Sequence, residues 1–151
     1  MAPPLPTFAV VQGPNLNWLG RRETKIYGAK SWETIWSELL QWAGHQEINL
    51  TTFQSNSEGD LIDYLQNCAD KIDGVLLNPA ALTHTSIALR DCVAMLSIPT
   101  VEVHLSKIQQ RENFRHHSYI ADVAEGCITG FGEQGYFLGL ELLKGLINDR
   151  S

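Results

Sequence analysis

The sequence predicts a doubly wound α/β fold, a parallel sheet of five strands with helices on both faces. Three observations carry that expectation. Short apolar runs alternate with helical periods along the whole chain. Several runs, such as FAVV (8–11) and GVLL (74–77), are apolar throughout, as strands covered on both faces must be. And 151 residues with 44% hydrophobic and 19% charged side chains suit one globular domain, 1–151, with a core large enough to need no staples.

Taken in order, TFAVV (7–11) is the first strand, after a proline-rich tip (1–6) expected to fray. Ser31 caps a helix whose apolar face is Trp32, Ile35, Trp36, Leu39, Leu40 and Ala43, ending at Gly44. EINLTTF (47–53) is the second strand, and Ser57 caps a helix that turns Leu61, Ile62, Leu65, Cys68, Ala69 and Ile72 inward. GVLLN (74–78) is the third, followed by a helix from about Thr85 to Met95, with Thr85 or Ser86 as its cap. PTVEVHL (99–105) is the fourth, with a short helical turn after Ser106, and GCITGF (126–131) is the fifth. A helix from about Glu133 to Ile147 closes the chain. Right-handed crossovers give the order 2-1-3-4-5, which is flavodoxin-like. Ligands of such sheets bind beyond the carboxyl ends of the strands, at the switch point between strands 1 and 3. Gly13-Pro14-Asn15, Asn78-Pro79-Ala80-Ala81 and His104-Leu105-Ser106 therefore gather at one rim.

A net charge of −6 argues against nucleic acid, although a few converging arginines could still hold a small anion. No stretch reaches the roughly 20 apolar residues of a membrane span. The opening MAPPLPTFAVV has no basic segment and too short an apolar run for a secretory signal. Cys68, Cys92 and Cys127 are odd in number and far apart, so they read as reduced core thiols of a cytoplasmic protein.

The connection GPNLNWLGRRETKIYG (13–28) is long for a compact domain, where medians run about 4–6 residues and longer loops are usually functional. It brings Arg21 and Arg22 near Tyr27. Lowering a tyrosine from about 10 to near 7 takes about 4 kcal/mol. One guanidinium at about 4 Å and an effective dielectric near 20 supplies that much. Tyr27 is then either a tyrosinate base or a packing residue at the helix entry beside two solvated arginines. Glu102 and His104 share one strand face, and a carboxylate inside a covered strand needs a partner. The pair is either purely structural or an oriented imidazole able to act as an acid. Asn78 and His84 sit at the switch point and a helix start, whereas Arg90 and Asp91 read by default as a solvated helix face. Arg115, His116, His117 and Ser118 follow in ENFRHHSY (112–119), where adjacent histidines without a third ligand make a weak metal signal, so no metal is expected. No lysine lies at an apolar strand end, which leaves a Schiff-base route without a candidate.

Together GPNLN…LG, YG, NPAALTHTSIALRD, VEVHLS, RENFRHHSY and GFGEQGY resemble type II 3-dehydroquinate dehydratase, from about Phe8 to Leu143. The resemblance implies cofactor-free, reversible anti elimination of water from 3-dehydroquinate to 3-dehydroshikimate through an enolate. It implies trimers, usually four of them in a dodecamer. By position, Tyr27 is the base for the C2 proton, with Arg22 beside it on a mobile lid (19–28). Asn15 holds a water at the enolate oxygen, and His104, oriented by Glu102 with Asn78 nearby, protonates the departing C1 hydroxyl. Leu105 and Ser106 receive the carboxylate, His84 and Arg115 hold ring hydroxyls, and Asp91 is expected to reach in from a neighbouring subunit. Gln12 stands where Asn is common, Trp18 replaces a smaller apolar residue, and Thr24 stands where Pro is frequent. An FMN-binding electron carrier is the alternative on this fold, but it needs a Ser/Thr/Gly-rich phosphate loop, and the loop after strand 1 offers Pro14, Leu16, Trp18 and Leu19.

Overall fold

Alternation along the strands decides the layers. In the computed structural model, which describes residues 4–21 and 30–150, the strands are β1 (Thr7–Gln12), β2 (Asn49–Gln54), β3 (Gly74–Asn78), β4 (Thr100–His104) and β5 (Gly126–Thr129). All pairs are parallel and the order is β2-β1-β3-β4-β5, as expected. The helices are α1 (Trp32–His45), α2 (Glu58–Cys68), α3 (Ile87–Met95) and α4 (Gln134–Arg150). Phe8 and Val10 of β1 face a core shared with Ile35, Leu39 and Ala43 of α1 and Leu140 and Leu143 of α4. Ala9 and Val11 face the other core, with Leu61 and Leu65 of α2 and Leu89 and Val93 of α3. Burying each leucine fully is worth about 1.5–3 kcal/mol. β1, β3 and β4 are almost wholly buried, whereas the outer strands β2 and β5 are half exposed.

Several boundaries move for identifiable reasons. α1 runs past Gly44, and its terminator is Glu47, whose φ is 57°. Glu47 N–H donates to the Gly44 carbonyl and Ile48 N–H to the Ala43 carbonyl, a Schellman closure that delays β2 to Asn49. A left-handed L residue costs about 1–2 kcal/mol. Glu47→Gly should therefore raise the melting temperature by a few degrees, at about 2–4 °C per kcal/mol for a chain this size. An unchanged or lower melting temperature in calorimetry would show that no strain is held there.

β5 ends at Thr129 because Gly130 (φ 88°) and Gly132 (φ 56°) turn the chain away. Ser31, Ser57 and Ser86 each accept a backbone N–H at the start of α1, α2 and α3, and residues 80–84 form a 3-10 turn ahead of α3. Cys92 is buried and Cys68 partly so, but Cys127 is exposed on the outer strand β5, so it is not a core thiol. Arg22, Tyr27 and most of the expected lid lie outside the described residues. Among the described residues no helix is long and apolar enough to cross a membrane.

Candidate active site

A cleft opens where β1, β3 and β4 end. It is lined by Asn15, Asn78, His84, His104, Leu105, Ser106 and Arg115, all named from sequence, and also by Leu16, Trp18, Ile108 and Arg111. Asp91 is exposed on α3 and does not line it.

The rim is assembled by a close approach of two loops. Gly13 N–H donates to the Asn78 carbonyl at 2.8 Å, and a Cβ at Gly13 would lie 2.6 Å from the Pro79 carbonyl oxygen. Only glycine fits. Gly13→Ala must push the two loops apart, and overpacking of this kind costs about 1–3 kcal/mol. A melting temperature lowered by several degrees and a severe loss of turnover are expected, the two to be measured on the same preparation.

Next to it, Asn15 adopts φ 71°, makes no side-chain cap bond and lines the cleft. Its backbone N–H is held by Asn56 Oδ1 at 2.9 Å, and Gln54 Nε2 donates to the Gly13 carbonyl at 3.1 Å. At the end of β3, Ala80 has φ 52°, and its N–H donates to Asn78 Oδ1 at 3.1 Å. Strain therefore sits where the loop meets the cleft.

Glu102 is fully buried and His104 is 5% exposed. His104 Nε2–H donates to Glu102 Oε2 at 2.5 Å. Two hydroxyls that the sequence did not single out for this carboxylate complete its shell. Thr83 donates to Oε2, and Ser118 lies 2.9 Å from both carboxylate oxygens. Ser118 is itself held by the N–H groups of Ile120 and Ala121. Burial pushes the Glu102 carboxyl up, but the His104 imidazole, by hydrogen bond and charge, and the two hydroxyls outweigh it and hold the group below the usual carboxylate range. The anion thus fixes the imidazole so that Nδ1 is the nitrogen left to exchange a proton with a ligand.

His84 donates from Nδ1 to the His117 carbonyl at 2.8 Å, which leaves Nε2 for a ligand. Burial lowers its pKa despite that bond, which favours the neutral ring. It lies nearly parallel to His104, with ring centroids 6.4 Å apart. Arg111 and Arg115 bracket Glu112 and both line the cleft, so an acidic chain concentrates positive charge at this rim. Among the described residues no group of three His, Cys, Asp or Glu side chains could hold a metal ion.

A sequence model of the dehydroquinase class II family matches residues 6–144. The chain is 50% identical over 139 residues to a 3-dehydroquinate dehydratase of Bacillus pumilus, covering 92% of this chain and 95% of that protein. It is 53% identical over 136 residues to one from Polynucleobacter asymbioticus, covering 89% and 91%. The crystal structure of a type II dehydroquinase from Butyrivibrio crossotus superposes with a TM-score of 0.91 at 39% identity, covering 93% of this chain and 98% of that one. By sequence and by fold, the chain belongs to the class II dehydroquinase family.

Proposed function

We propose that this protein is a 3-dehydroquinate dehydratase, a hydro-lyase converting 3-dehydroquinate to 3-dehydroshikimate. The observation that carries the reading is the buried Glu102–His104 pair at the end of β4, opening into a cleft rimmed by two arginines. Elimination needs a base at C2 and an acid at C1. Tyr27, its phenol made acidic by Arg22, takes the C2 proton, and an enolate forms. Asn15 holds a water at the enolate oxygen. His104 then gives a proton to the C1 hydroxyl, the C1–O bond breaks, and water leaves. One proton is taken and one returned with no net redox change, so the chain's own residues suffice for the acid–base chemistry and no cofactor is needed. The main chain at Leu105 and Ser106, with the Ser106 hydroxyl, receives the substrate carboxylate, while His84 and Arg115 hold ring hydroxyls beside Asn78. Asp91, exposed on α3, completes the cleft of a neighbouring copy in a trimer, and four trimers form a dodecamer. A cytoplasmic setting, where thiols stay reduced, suits the three free cysteines.

The test is direct. Purified protein given 3-dehydroquinate after exhaustive chelation should develop the conjugated-enone absorbance of 3-dehydroshikimate. No absorbance change at micromolar enzyme would remove the assignment.

A further inference from the structure

We propose that Tyr136 is a positioning residue for this reaction, holding the nitrogen end of the Asn78 carboxamide, whose oxygen end the Ala80 N–H holds, so that the amide offers the substrate an N–H. The inference rests on the function proposed above. Gln12 and Asn78 end β1 and β3 as register partners, so their side chains leave the sheet side by side. Tyr136, in the first turn of α4 and fully buried, places its hydroxyl between them. The helix can approach that closely because glycines flank it. A Cβ at Gly135 would lie 2.9 Å from Val103 Cγ2, and one at Gly139 2.3 Å from Leu76 Cδ1. Trp32 packs on the tyrosine ring with centroids 5.5 Å apart, which fixes its orientation.

The polarity of the chain follows from one unambiguous donor. Ala80 is a backbone N–H, so the atom 3.1 Å from it must be the Asn78 oxygen. Asn78 Nδ2 then donates to the Tyr136 oxygen at 3.1 Å. The single phenol proton goes the other way, to Gln12 Oε1 at 2.8 Å. Burial pushes the phenol up to about 12, against the opposing pull of Asn78 and Gln12, so it keeps that proton at any pH of interest. Asn78 has two amide hydrogens, and Tyr136 uses one. The other is what the amide has left for the cleft that Asn78 lines. The Ala80 N–H holds the oxygen end of the amide and the Tyr136 hydroxyl the nitrogen end. Without that hydroxyl the NH₂ loses its buried acceptor and the carboxamide is held at one end only, free to swing away from the substrate.

The experiment is a double-mutant cycle on turnover of 3-dehydroquinate with Tyr136→Phe, Asn78→Ala and the pair. Tyr136→Phe should lower kcat about 10- to 100-fold with KM little changed, as expected when one buried polar partner is removed. In the Asn78→Ala background the same change should cost less than about threefold, because the residue acts through Asn78. Equal losses in both backgrounds, or wild-type kcat in a folded Tyr136→Phe protein, overturn the inference. If circular dichroism shows Tyr136→Phe to be unfolded, Gln12→Leu replaces it. That variant frees the phenol proton to turn toward Asn78, and the same dependence on Asn78 decides the outcome. A wild-type protein that does not consume 3-dehydroquinate defeats the proposed function itself, whereas an active wild type with additive mutants defeats only the role of Tyr136.

Discussion

Glu102→Gln should slow turnover about 10³-fold, within the range of about 10²–10⁴ contributed by a positioned acid–base group. The substitution keeps the shape and removes the anion. Three donors converge on this carboxylate, from His104, Thr83 and Ser118. A glutamine that keeps its oxygen in place of Oε2 turns its NH₂ toward Ser118 where an acceptor stood, and a flipped one sets its NH₂ against the His104 and Thr83 donors. His104 loses the anionic partner that holds its Nε2–H and stabilises a charged imidazole. Removing one member of a buried charged pair costs about 3–5 kcal/mol. At about 2–4 °C per kcal/mol the melting temperature should fall by roughly 10 °C at neutral pH. The pH dependence has a definite sign. Because the folded state holds the Glu102 carboxyl below its ordinary range, its stabilising contribution is complete above the unfolded value near 4.5. It is lost as pH falls through the lower folded value. The stability gap between wild type and Glu102→Gln should therefore narrow only below about pH 4.5, as calorimetry across a pH series would show. A variant with near-wild-type turnover would make the pair structural and nothing more.

Glu102 and His104 were legible because two general rules meet there. Strand alternation puts them on one face, and a buried carboxylate demands a partner. Thr83 and Ser118 obey the second rule as well, since a carboxylate can accept about four hydrogen bonds and one imidazole cannot satisfy it. Nothing local marks which hydroxyls answer, because they arrive from the 3-10 turn after β3 and from the loop before β5. The Gln12–Tyr136 contact spans 124 positions and is invisible without the fold. Central strands were readable from unbroken apolar runs. Helix ends were less so, as Glu47 shows: a left-handed glutamate, not the nearby Gly44, closes α1. Asp91 marks a different limit. Its exposed position on α3 keeps it out of the described lining of this chain's cleft, so the role proposed for it calls for a neighbouring copy that a single chain cannot display.

Tyr27→Phe should abolish exchange of the substrate's C2 hydrogen with deuterated solvent and leave no measurable dehydration. Four tyrosines are available in the chain. Tyr64 stacks on Phe53 with ring centroids 4.3 Å apart, and Tyr119 packs edge-on against His117. Tyr136 is buried, with its phenol pushed up to about 12 by that burial, which makes it useless as a base. None of the three lines the cleft. The base proposed for this reaction is Tyr27, on the segment of the sequence that also carries Arg22. A guanidinium about 4 Å from the phenol would supply about the 4 kcal/mol needed to bring it near neutrality, so on the proposed mechanism Arg22→Gln should move the alkaline optimum of kcat upward while Tyr27→Phe removes activity at every pH. His104→Ala separates the two proton transfers. It should slow elimination by about 10²–10⁴, yet permit C2 exchange, because the enolate can be reprotonated by Tyr27 before the C1–O bond breaks. Proton NMR of C2 in deuterated water, recorded beside product formation, reads both steps in one sample. Exchange that persists at the wild-type rate in Tyr27→Phe would assign the base to another group, and with it the reason for a long loop bearing two arginines.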